Sequence, residues 1–244
     1  MDVWQLEPLG MIIQVIRSGF DTTVVLTWLI QMVALLTAVT LHEVAHGYAA
    51  LKMGDPTARD MGRLTLNPLA HFDLIGGLLI VLGAPVAWAK PVPVNTARFD
   101  QKRPFRRAMM IVAIAGVVTN LVTAFISFFL RALLIRIAFG LTLEPLLNVF
   151  GILILFFERL ALISVFLAVF NMLPVPPLDG FKFFGQFMSP RIYNTLLRYE
   201  RQIGMVFLFL IIFGRNYLWI VLDRIASPIL WVLQAPIVWF FNLF

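Results

Sequence analysis

The sequence predicts an all-α polytopic membrane protein of about five to six membrane helices, with a re-entrant or short β segment after the helix that carries His42-Glu-Val-Ala-His46. Three observations predict it. Of 244 residues, 61% are apolar and 13% charged, against about 45–50% and about 25% in average soluble domains. The mean hydropathy is +0.91, and 23 Phe with 6 Trp cannot all be hidden inside a soluble monomer of this length. The apolar residues also come in uncharged runs of about 18 or more, the length at which a helix crosses a bilayer. Together these exclude a disordered chain, collagen and a soluble α/β enzyme. The absence of cysteine excludes disulfides and thiolate metal sites. The chain reads as one membrane domain over 1–244, with a core at about 22–190 and C-terminal helices over 191–244.

The net charge is +6 and the isoelectric point about 10.2, but the cations sit in short loops between apolar runs, notably Lys90 to Arg107. No basic helix face or stacking platform is visible, so nucleic acid is not an expected partner; the lipid bilayer is.

The elements follow in order. Leu9 to Phe20, interrupted by Gln14, Arg17 and Ser18, fits an interfacial amphipathic helix, and residues 1–20 lack the basic start and cleavage site of a signal peptide. Thr22 to Leu51 is the first strong span; as one helix it is about 45 Å long, more than the hydrocarbon core needs. Leu74 to Ala89 is short and carries Gly76, Gly77, Gly83 and Pro85, which suits a re-entrant segment or hairpin better than a crossing. After the basic loop, a helix is expected from about Phe105 to Leu134. Another runs from roughly Val149 to Met172, carries Glu158-Arg159, and is broken by Leu173-Pro-Val-Pro-Pro-Leu-Asp-Gly180. A polar stretch around Pro190 to Gln202 precedes a further span after Ile203. The run to Phe244, with Pro228 and Pro236, is a span or an interfacial helix.

The chemistry starts in the first span. Between Thr22 and Leu51 the only residues that ionise near neutral pH are His42, Glu43 and His46. Residues i and i+4 share a helix face, so both imidazoles can reach one metal, while Glu43 stands close enough to serve as general base. Zinc suits two neutral imidazoles and one oxygen ligand with a fourth position left for water. With Lys52 the next charge, His46 lies about 9 Å and His42 about 15 Å inward along the helix. At that depth ionisable groups must pair, ligate or face water, which makes function the default reading over a polar cluster that only stabilises the bundle.

A third ligand has to come from a distant segment. Asp179 follows a charge-free run from Leu160 and sits in a proline-rich break that no continuous helix crosses; unwound backbone at membrane depth belongs in protein or along a cavity. By spacing alone, ligand and N-cap are equal readings of Asp179. Topology offers a check. If Leu74–Ala89 does not cross, the next two helices return the chain so that Asp179 arrives at the face where His42 and His46 lie. The stretches 52–63 and 90–107 on that face hold nine Lys and Arg against two, Arg131 and Arg136, in 131–148; the positive-inside rule then places it in the cytoplasm.

These residues resemble the site-2 protease family of intramembrane zinc metalloproteases, in its compact prokaryotic branch. The likeness runs through His42-Glu-Val-Ala-His-Gly, Gly54-Asp-Pro-Thr-Ala, Gly62-Arg-Leu-Thr-Leu-Asn-Pro-Leu-Ala-His-Phe-Asp, Ala87-Trp-Ala-Lys-Pro-Val-Pro-Val-Asn95 and Asn171-Met-Leu-Pro-Val-Pro-Pro-Leu-Asp-Gly180, over roughly residues 35 to 185. It implies one zinc per chain held by His42, His46 and Asp179, with Glu43 catalytic and Asn171 aiding substrate or transition-state binding. One departure is Ala115-Gly-Val-Val-Thr-Asn120, where the family often has Ala-Gly-Pro before its third-helix Asn; it bears on a helix kink, not on the ligands.

His71, the remaining histidine, is expected to support the site rather than ligate. Asn120 reads as an interhelical hydrogen-bonding residue. Pro91-Val-Pro-Val94 is held extended by its prolines, which leaves the Val92 and Val94 amides as the edge to which an extended substrate could add as a strand. Asn171 or His71 would then steady the oxyanion. The expected function is an endopeptidase that cuts within or near transmembrane segments of membrane-embedded protein substrates, in a prokaryotic cell membrane with the site nearer the cytoplasmic face. A membrane zinc transporter and a non-catalytic membrane scaffold are the alternatives.

Overall fold

The computed structural model describes residues 21–71 and 90–242. The expected interfacial helix at Leu9–Phe20 and the segment Leu74–Ala89 lie outside them. Among the described residues there are eight α-helices and no strand: α1 (Thr22–Lys52), α2 (Thr57–Asp60), α3 (Phe105–Ala138), α4 (Glu144–Asn171), α5 (Asp179–Phe184), α6 (Pro190–Arg198), α7 (Glu200–Phe213) and α8 (Arg215–Asn242). Four, namely α1, α3, α4 and α8, are long and apolar enough to cross a membrane.

Local sequence sets the boundaries. Asp21 caps α1 by accepting the Thr23 N–H at 2.8 Å, and Lys52 closes it where a cation complements the helix dipole. α4 starts at Glu144, earlier than apolarity alone suggests, because Pro145 in the first turn needs no amide partner and Glu144 complements the positive end. The run expected as a span after Ile203 divides. α7 has 14 residues, about 21 Å, too short for a hydrocarbon core of about 30 Å; α8 has 28 residues and continues through Pro228 and Pro236.

α1, α3 and α4 pack against one another, and α8 lies on α3 and α4. Ala34 and Ala38 of α1, both fully buried, meet Leu160 of α4, with Phe156 and Phe157 filling in around them; small residues let two membrane helices approach closely. Ala124 of α3, Val165 and Val169 of α4, and Leu222 and Ala226 of α8 form a second cluster. Arg131 ties α3 to Glu158 of α4 at 3.3 Å. α1 and α3 are antiparallel: His42 faces Asn120, and His46, four residues on, faces Val112. The Lys90 N–H donates to the His71 carbonyl at 3.0 Å, so the chain leaves and rejoins the described residues at one point.

Candidate active site

The two histidines lie one helical turn apart on α1 and point at α3. Their rings meet edge to face, 4.6 Å between centroids. This arrangement needs Gly116: a Cβ there would stand about 2.5 Å from both His42 Cε1 and His46 Nε2. Gly116 in the departing motif is therefore the flat wall behind the histidines, and α3 runs past it without a break.

The proline-rich break after α4 returns the chain to the same place. Met172 ends α4, and the backbone turns at Val175 and Leu178 before α5 begins at Asp179. Gly180 packs so tightly under the end of α4 that a Cβ would collide with the Met172 carbonyl. Asp179 does not cap α5; Leu178 holds the cap position without a side-chain bond. Its Oδ2 lies 3.1 Å from His42 Nε2 and 2.8 Å from His46 Nε2, and those two nitrogens are 3.0 Å apart. Its Oδ1 accepts from Lys182 Nζ at 3.1 Å. All three side chains are buried. Burial acts to raise the Asp179 pKa, but contacts with His42 and His46 and the Lys182 charge outweigh it and hold the carboxyl well below the usual range.

Two imidazole nitrogens and one carboxylate oxygen thus converge in a triangle, and among the described residues this is the group of three that could hold a metal ion. Four ligands about 2.0–2.1 Å from zinc stand about 3.3 Å from one another, so the triangle needs to open by only a few tenths of an ångström. The outward nitrogens are engaged: His46 Nδ1 donates to the Val112 carbonyl at 2.7 Å, and His42 Nδ1 lies 3.0 Å from Asn120 Nδ2. The residues present fit a metal ion.

Glu43, about 100° round α1 from His42, reaches the segment 90–95. Its Oε2 accepts the Val92 N–H at 2.8 Å. The side chain of Val92 is buried and lies against Gly47 of α1, while Val94 packs against the cluster formed by Ala49, Ala50, Met53, Phe99, Ala108 and Val112. The segment is anchored at both ends. Arg63 donates to the Lys90 carbonyl at 2.7 Å. Asp55, fully buried, accepts the Asn95 N–H at 2.6 Å and both the N–H and hydroxyl of Thr57.

Several expectations change here. The Val92 amide is not free for a substrate, because Glu43 occupies it; the Val94 amide makes no hydrogen bond among the described residues. His71 is buried and hands its Nε2 proton to the Thr65 carbonyl at 2.8 Å, which keeps it out of the converging group. Asn171 donates to Leu167 of its own helix at 3.0 Å rather than into the trio. Asn120 makes the interhelical contact expected of it, with His42 as the partner; sequence reasoning missed Gly116 behind both rings and Asp55 under the extended segment. An amide in mid-span was the available signal for Asn120, but its partner could not be read from spacing.

Residues 30–213 match the family described as Peptidase family M50. The chain belongs to peptidase family M50. The resemblance carried by the five motifs is thereby borne out. Its relatives include a Bacillus subtilis protein named "Putative zinc metalloprotease YwhC", 39% identical over 206 residues, 84% of this chain and 90% of that one. Two more share the name "Putative zinc metalloprotease Rip2". The one from Mycolicibacterium smegmatis is 30% identical over 165 residues, 66% of this chain and 58% of its own length. The one from Mycobacterium tuberculosis is 28% identical over 196 residues, 78% and 66% respectively. No solved structure matches the chain. Four apolar helices and membership of M50 make this a membrane protein of a peptidase family.

Proposed function

We propose that this chain is a zinc endopeptidase that hydrolyses peptide bonds within or near transmembrane segments of membrane-embedded protein substrates. The observation that carries the reading is the convergence of His42 Nε2, His46 Nε2 and Asp179 Oδ2 within 3.1 Å of one another, next to a carboxylate that ligates nothing. The similarity to proteins named zinc metalloproteases supports it.

His42, His46 and Asp179 would hold one zinc per chain; bound there, it polarises a carbonyl and makes water acidic enough to attack it at neutral pH. The rest of the chemistry belongs to the protein. Glu43 takes a proton from the attacking water and gives it to the departing amine. It is prepared for this by Val92, whose amide fixes Oε2 and leaves Oε1 for the proton. A substrate helix satisfies its own backbone hydrogen bonds, so it must unwind before its carbonyl is accessible. The Val94 amide and the valine carbonyls offer partners to the unwound strand, and Arg63 and Asp55 keep that edge in place.

The reading extends to location: a prokaryotic cell membrane, with the site nearer the cytoplasmic face, supported by the nine Lys and Arg on its side of the chain. The test is zinc content and cleavage of a membrane-embedded substrate by the purified chain in lipid nanodiscs. One zinc with cleavage supports the proposal; zinc flux across vesicles without cleavage would replace it with the transporter.

A further inference from the structure

Asn120 sits in the middle of α3, wholly buried. Its Nδ2 is 3.0 Å from His42 Nδ1, and its Oδ1 is buried without a hydrogen-bond partner. The sequence expects of it only a bond between helices. Its partner gives that bond a purpose.

Consider what each imidazole needs in order to offer Nε2 to a metal. A neutral ring carries one proton, so a lone pair at Nε2 places the proton at Nδ1, and Nδ1 then requires an acceptor. For His46 the acceptor is the Val112 carbonyl, 2.7 Å away, which can only accept and therefore fixes the ring. For His42 the one side chain among the described residues within hydrogen-bond distance of Nδ1 is Asn120. An N–H group facing an NH2 group would set donor against donor. The two ends of the amide have the same shape, and half a turn about χ2 brings the unpartnered Oδ1 to the place Nδ2 holds.

We propose that Asn120 is the positioning residue for His42: its side-chain oxygen accepts the His42 Nδ1 proton, fixes the tautomer that presents Nε2 to Asp179 and His46, and sets the ring angle above Gly116. The inference rests on the metal site of the proposed function. Asn120 touches neither the ion nor a substrate; it acts through His42, as the outer partners of ligating histidines do, whose loss weakens metal binding about 10–100-fold.

The test is zinc affinity of the full chain in detergent, by competition with a chromophoric chelator, with helix content read by circular dichroism. N120L keeps the number and branching of the side-chain heavy atoms and suits a membrane helix, and helix content equal to wild type shows that it folds; its affinity is expected to fall about 10–100-fold. N120D keeps an oxygen that only accepts and is expected to bind within about threefold of wild type, since a carboxylate is an equally good outer partner. The proposal is overturned if N120L binds zinc as wild type does. It is equally overturned if folded N120D binds as weakly as N120L, because the amide would then be donating from Nδ2. Should the buried carboxylate prevent folding, N120L decides alone. Wild type that takes up no zinc overturns the metal site itself and this role with it, whereas wild type and N120L binding equally removes only the role of Asn120.

Discussion

The Val92 amide donates to Glu43 Oε2 at 2.8 Å, so the carboxylate proposed as the base is tied to the segment proposed to receive the substrate. A general base with one oxygen held and one free has a fixed direction. The same bond means that any change in the 90–95 segment is felt at Glu43.

Val94 and Val92 should therefore respond differently to proline. Val94→Pro removes an amide that has no partner among the described residues and leaves Glu43 held. It should reduce cleavage at least about tenfold, the worth of one hydrogen bond to a strand, with one zinc retained. Val92→Pro should lose more, because it also frees the base. Comparing rates and zinc content of both variants checks this; wild-type cleavage by Val94→Pro would sink the strand-pairing idea.

Glu43→Gln keeps the shape of the side chain and its bond to Val92 while removing the base. The protein should fold and bind one zinc, yet cleave about 10²–10⁴-fold more slowly. Zinc flux into vesicles, measured beside cleavage, separates the alternatives: a transporter would keep its flux, and a scaffold would show no change in either.

Gly116→Ala tests the wall behind the histidines. The new methyl would press on His42 and His46 at about 2.5 Å, and overpacking of this kind costs about 1–3 kcal/mol. The expected result is weaker zinc binding with helix content unchanged, read by chelator competition.

Asp55→Ala removes the charged acceptor shared by Asn95 and Thr57, at about 1–3 kcal/mol. Zinc content should stay at one. Amide hydrogen exchange at Val92 and Asn95 should quicken, and KM should rise more than kcat falls. Unchanged exchange would show that Arg63 alone anchors the segment.

Removing the metal with a strong chelator should abolish cleavage, and zinc should restore it. His46→Ala should not be restored, because two of three ligand atoms remain and the Val112 carbonyl loses its donor. Activity that survives chelation would exclude a metallopeptidase.

What the sequence determined by itself follows from local rules. Apolar run length fixed the long helices, the i, i+4 spacing put His42 and His46 on one face, and the unwound prolines around Asp179 marked a carboxylate at membrane depth. Local rules say nothing about which side chains meet across helices. Only the packing of α1 on α3 gave His42 its neighbour Asn120 and made Gly116 necessary. Only the path of the loop after α1 brought Asp55 beneath Asn95 and turned the Val92 amide toward Glu43, because such contacts depend on how rigid helices and their connections settle against one another. The same packing set the Asp179 carboxylate within 3.1 Å of two imidazoles, while Leu178 took the cap position of its helix.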